Sequence, residues 1–122
     1  MVGGWIEANK AIADRIGIPL VAYEGGPHLL ARTAQQQNDQ GFIDLLADMK
    51  RDPRMRGMYE KLLGRWDAAG GETFVFFSDL ENWGRSGSWG LKETLDDSTN
   101  HLFSIASLRG FADPTSWLAT CK

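Results

Sequence analysis

Cysteine is almost missing from this chain. Cys121, next to the last residue, is the only one, so no intrachain disulfide can form and nothing local activates the thiol. Long hydrophobic runs are missing too. No apolar stretch approaches the roughly 20 residues that span a bilayer, which excludes a membrane-spanning helix. Excess charge is also absent. Thirteen Lys and Arg stand against 16 Asp and Glu, a net charge of −3, and that balance leaves no electrostatic footprint for a nucleic-acid partner. Histidine is scarce: His28 and His101 are far apart and share no carboxylate pattern, so no metal site is expected. Neither a GxGxxG nor a Walker pattern occurs, so no nucleotide cofactor is expected. Ser78 and Ser88 lack the context of a nucleophile elbow. The first residues, Met1-Val2-Gly3-Gly4-Trp5, carry neither a basic segment nor an apolar core. Localisation stays open, with the cytoplasm as default.

What is present fits one folded domain. The chain has 122 residues, 43% hydrophobic and 11% aromatic, enough for a single core. Trp5, Ala8, Ile12 and Ile16 recur at helical spacing with charged residues between them, which predicts an amphipathic helix over 5–16 stopped by Gly17. Ile18 to Tyr23 is a near-continuous apolar run, as in a parallel strand covered on both faces. Residues 27–40 read as a long loop, with some helical character at 29–32. Phe42, Leu45, Leu46 and Met49 mark a helix. Pro53 restarts it, with Asp52 as a candidate N-cap. Met55, Met58, Tyr59, Leu62, Leu63 and Trp66 mark another, ended by Gly70-Gly71. The basic residues Lys50, Arg51, Arg54, Arg56, Lys61 and Arg65 alternate with acids and read as a solvated face. Residues 73–77 form a second, aromatic strand. A short helix is expected over 101–109.

Glu24 is the most informative single residue. It closes the first strand and leads into Gly25-Gly26-Pro27-His28, the position where α/β folds place chemistry. The second strand ends at Ser78-Asp79, before a loop carrying Trp83 and Trp89. If the strands are parallel, with a right-handed helical crossover, both loops share one rim. Tryptophan rings beside carboxylates suit a sugar, which has apolar C–H faces and a hydroxyl edge. Glycosidic hydrolysis needs two carboxyl groups. Glu24 is the candidate nucleophile and Asp79 a candidate partner. Each also has an ordinary reading as a rim acid that caps a helix or pairs with an arginine. His28 is placed to bond Glu24 or a ligand, or to serve structurally.

Read together, the segments Val21-Ala22-Tyr23-Glu24-Gly25-Gly26-Pro27-His28-Leu29, Arg51-Asp52-Pro53-Arg54-Met55, Trp66-Asp67-Ala68-Ala69-Gly70-Gly71, Phe74-Val75-Phe76-Phe77-Ser78-Asp79 and Gly87-Ser88-Trp89-Gly90-Leu91 resemble the C-terminal portion of bacterial TIM-barrel glycoside hydrolase-like proteins. The resemblance covers roughly residues 5–100. It implies a partial (β/α) barrel fragment over 1–122, with 5–16 as the sixth barrel helix, 18–24 as the seventh strand, 41–69 as the seventh helical layer and 73–79 as the eighth strand. It implies a nucleophile position at Glu24 and a sugar-lining aromatic at Trp89. The chain departs from that family in having no counterpart of the first six strands, and so no acid/base glutamate from the fourth. Its tail, 101–122, diverges.

Two parallel strands leave hydrogen-bonding edges and apolar surface open. Self-association into a dimer or larger assembly is therefore expected, unless the tail covers the sheet. The leading functional expectation is a noncatalytic glycoside hydrolase-like fragment with residual carbohydrate affinity through Tyr23, Glu24, His28, Asp79, Trp83 and Trp89. The alternatives are a structural or protein-interaction module, and a retaining glycosidase assembled by oligomerisation around Glu24.

Overall fold

The computed structural model describes residues 2–95. The expected helix at 101–109, the divergent tail 101–122, and with them His101, Trp117 and Cys121, lie outside the described residues. Six elements follow in order: α1 (Val2–Ile16), β1 (Ala22–Gly25), α2 (Ala34–Gln37), α3 (Gln40–Arg51), α4 (Arg54–Ala68) and β2 (Phe74–Phe76). The two strands pair in parallel, Ala22 opposite Phe74 and Gly25 opposite Phe76, with an irregularity between. The ladder extends one step before β1, where Glu72 N–H donates to the Leu20 carbonyl at 2.9 Å. This is an α/β fold with two parallel strands and flanking helices, and helices α2–α4 form the crossover.

The helix ends follow from local chemistry. Gly17 and Gly70 adopt left-handed φ of 72° and 77°. Each closes a double-bonded C-terminal turn: Ile18 N–H to the Ala13 carbonyl with Gly17 to Asp14, and Gly71 N–H to Trp66 with Gly70 to Asp67. That geometry suits glycine. Asp39 caps α3 by accepting the Phe42 N–H at 3.1 Å. At the α3–α4 junction Pro53 holds the cap position without a side-chain bond, and the Asp52 carboxylate accepts the Arg54 N–H at 2.8 Å. Its ion pair with the Arg54 guanidinium holds the Asp52 carboxyl down at about 2.

Three expectations shift. The short helix in the 27–40 segment sits at Ala34–Gln37, not 29–32. Thr33 and Gln36 form a reciprocal capping box there, a signal present in the sequence as Thr-x-x-Gln. The first strand is shorter than 18–24. Ile18, Val21 and Tyr23 are exposed, because helices cover one face of the sheet and no element among the described residues covers the other. The buried stripe of α3 is Ile43, Ala47 and Lys50, while Leu45 and Met49 point outward. Lys50 thus leaves the expected solvated face and lies wholly inside.

Packing is concentrated between α4 and β2. Phe74 and Phe76 alternate inward. Phe74 meets Trp66 edge-on at 5.2 Å, and Phe76 meets Tyr59 at 5.7 Å. Met55, Tyr59 and Leu91 form the central cluster, with Phe76 against it. Arg51 ties α3 to the chain beyond β2 through a fork on Glu93, 2.8 Å from Nε and 2.5 Å from Nη2. That pairing raises the Arg51 pKa still further.

Candidate functional site

Both strands deliver their C-terminal ends to one rim. Past β1, Gly25 and Gly26 lead the chain sideways into Pro27 and His28. Past β2, Phe77 N–H donates to the Gly25 carbonyl at 3.0 Å, which locks the two exits in register. Ser78 then takes a left-handed φ of 63°, and the chain enters its tryptophan-bearing loop. A tight Gly84–Gly87 turn, bonded in both directions, presents the Ser86 carbonyl to the Trp89 indole N–H at 2.9 Å. Ser88 N–H donates to the Leu29 carbonyl at 2.9 Å, binding the second loop to the first. Ser88 itself is fully buried, and its hydroxyl has no hydrogen-bond partner among the described residues.

These connections produce a pocket of about 230 Å³. Glu24 through His28 line it from the end of β1, and Phe77 and Trp89 from the chain beyond β2. Trp89 is held between two rings: His28 lies edge-on at 4.7 Å and Phe77 at 5.6 Å. The Glu24 carboxylate is exposed, and no hydrogen bond or ion pair engages it among the described residues. His28 contacts Trp89, not Glu24.

Of the residues singled out in the sequence, the fold brings Glu24, His28 and Trp89 together. It does not bring the other three into the pocket. Tyr23 is 82% exposed and stands off its walls. Asp79 turns back on its own loop, accepting the Leu80 N–H at 2.9 Å. Trp83 is buried, 7% exposed; its indole N–H donates to the Gly90 carbonyl at 3.2 Å, and its ring lies 5.5 Å from the Lys50 ammonium. Phe77 is the wall residue that sequence reasoning missed. The signal was the strand's parity: with Phe74 and Phe76 inward, Phe77 emerges on the opposite face.

Chemically, the pocket offers one carboxylate, one imidazole and two aromatic surfaces. Among the described residues no second carboxylate lines it, so they do not assemble the paired groups that glycosidic hydrolysis requires. No group of three or more His, Cys, Asp or Glu that could hold a metal occurs among the described residues. No described helix is long and apolar enough to cross a membrane. A second, more apolar groove of about 300 Å³ runs along α4 beside Gly26 and Pro27, lined by Met55, Met58, Tyr59 and Leu62. It contains neither carboxylate nor imidazole. Comparison with known family models, characterised proteins and solved structures returns no match for this chain.

Proposed function

We propose that this chain is a glycoside hydrolase-like partial barrel that binds carbohydrate without cleaving it. The observation that carries the reading is the composition of the rim pocket. Glu24, His28 and Trp89 share it, while the described residues give its lining a single carboxylate. An indole beside acceptor and donor groups matches a sugar's apolar face and hydroxyl edge. A lone carboxylate can bond hydroxyls, but it cannot supply both nucleophile and general acid. The test is calorimetric titration with a panel of neutral and charged oligosaccharides, alongside reducing-end assays for turnover. Binding that Trp89→Ala abolishes, without turnover, is the expected result. Release of reducing ends that Glu24→Gln eliminates would instead establish the oligomer-assembled glycosidase.

A second reading has its own observation. Val21, Tyr23, Val75 and Phe77 are all exposed on or beside the strands, and among the described residues each strand has one unpaired edge. Such a surface favours pairing with another copy, completing a larger sheet. The two surfaces share Phe77, which lines the pocket, while Val21, Tyr23 and Val75 lie outside its lining.

A further inference from the structure

The charge inventory of the rim pocket specifies its ligand more closely. We infer that it selects amine-bearing saccharides, with a sugar ammonium against Glu24 and the ring against Trp89, over neutral or acidic ones. This deepens the carbohydrate reading and rests on it.

Among the described residues Glu24 is the pocket's only charged group, and no lysine or arginine contributes to its lining. Three basic residues near the rim are engaged elsewhere: the Arg85 guanidinium donates to the Asn38 side-chain carbonyl at 2.9 Å, Lys92 donates to the Leu95 carbonyl at 3.3 Å, and Arg51 is forked on Glu93; Arg32, Lys61 and Arg65 lie outside the pocket lining. Among the described residues the Glu24 carboxylate has no counter-ion. An ammonium arriving there meets an opposite charge without displacing one.

The aromatic walls act in the same direction. Ring faces carry negative potential, which attracts cations and disfavours carboxylates. Phe77 and Trp89 line the same pocket as Glu24. A uronic acid would bring its carboxylate toward Glu24 and toward the rings at once, and both contacts are repulsive. A neutral sugar keeps the stacking and hydroxyl contacts but forgoes the ion pair. The amine is thus the single substituent that improves on both features. The pocket is open to water, so the preference is moderate, about tenfold over a neutral sugar of the same length, and weakens with salt.

The test compares four probes by calorimetry in mildly acidic low-salt buffer, with wild type and Glu24→Gln: a glucosamine oligomer, its N-acetylated counterpart, a galacturonate oligomer and cyclohexylammonium. Glu24 is exposed, and circular dichroism verifies that the variant is folded. The expected result is tightest binding of the glucosamine oligomer, by about tenfold over the N-acetylated form, with that margin lost in Glu24→Gln and in high salt. Equal binding of the amine and its N-acetylated form, or preference for galacturonate, overturns the charge selectivity and leaves the saccharide reading standing. Binding of cyclohexylammonium without any saccharide, or of no probe at all, overturns both.

Discussion

The Lys50 ammonium donates to the Tyr59 hydroxyl inside the protein, over the Tyr59 ring at 4.8 Å, with no acidic partner among the described residues. A lysine this deep normally has a carboxylate beside it. Here π faces and one hydroxyl take that place. Burial accordingly lowers the Lys50 pKa from 10.5 to about 8 and raises that of Tyr59.

A pH dependence of stability follows. Above the folded-state pKa of about 8 and below the ordinary lysine value of 10.5, the unfolded chain holds a proton at Lys50 that the folded chain has released. Stability therefore rises with pH through that window, by an amount on the order of 2–3 kcal/mol. Above the ordinary tyrosine value of 10.0 the unfolded chain deprotonates at Tyr59 first, and stability falls again. Thermal unfolding from pH 7 to 11 should show a maximum near pH 10. Lys50→Met keeps the volume and removes the charge, so it should flatten the rising limb and raise the neutral-pH midpoint. An unchanged profile in that variant would mean that water or a counter-ion already relieves the buried amine.

Gly25 carries a different constraint. A Cβ there would lie 2.2 Å from the tip of the Phe74 ring, at the seam where β1 pairs with β2. Relief requires Phe74 to leave its edge-on contact with Trp66. Gly25→Ala should cost about 1–3 kcal/mol, typical of overpacking, read as a lower urea midpoint with an unchanged slope. Phe74→Leu should recover part of that loss when combined with it. Full additivity of the two substitutions would show that the ring and the glycine are not coupled.

Much of this architecture could be read from residue order. Gly17 and Gly70-Gly71 marked helix ends because their left-handed turns need glycine, and the signal is local. The helix 54–68 was legible because Met55, Tyr59, Leu63 and Trp66 repeat at helical spacing, and tertiary packing used that stripe. Lys50 was not legible. Its neighbours Arg51 and Arg54 are solvated, and only the arrival of Tyr59 and Trp83 from elsewhere in the chain makes a buried ammonium tolerable. Trp83 and Trp89 were indistinguishable for the same reason. Each is a tryptophan in a glycine-rich loop, but one folds over Lys50 and the other lines the rim. Glu24 could be placed because a strand end has a fixed direction, whereas Asp79 lies where the left-handed turn at Ser78 redirects the chain.

The position of Trp89 rests on Gly87. With φ of 121°, Gly87 approaches so closely that a Cβ would lie 2.2 Å from the Trp89 indole nitrogen. Gly87→Ala should therefore displace the indole and break its bond to the Ser86 carbonyl. The expected outcome is saccharide binding weakened as severely as by Trp89→Ala, on the order of tenfold or more. Because the same loop also buries Trp83 and leads into Leu91 of the central cluster, the unfolding midpoint should fall as well, so binding is compared at a temperature where circular dichroism shows the variant folded. Retention of full binding by Gly87→Ala would remove Trp89 from the ligand site.

The last prediction concerns the uncovered sheet face. Val75 is about half exposed and sits mid-strand in β2, facing away from the α4 contacts made by Phe74 and Phe76. It lies outside the rim pocket, so altering it tests association without touching the ligand wall. Light scattering over a concentration series should give a mass above that of one chain, 13.5 kDa. Val75→Lys places a charge on the face that must become dry in any sheet-to-sheet or edge-to-edge assembly, and charged side chains on strands oppose such pairing. That variant should shift the population toward monomer while keeping its circular dichroism and its saccharide affinity. A wild-type chain that stays monomeric at every concentration would contradict self-association, because the open strand edges and apolar face would then be covered within a single copy. If Val75→Lys abolished saccharide binding along with the oligomer, the pocket would have to include a neighbouring copy, and Glu24 would have to be considered together with side chains from across that interface.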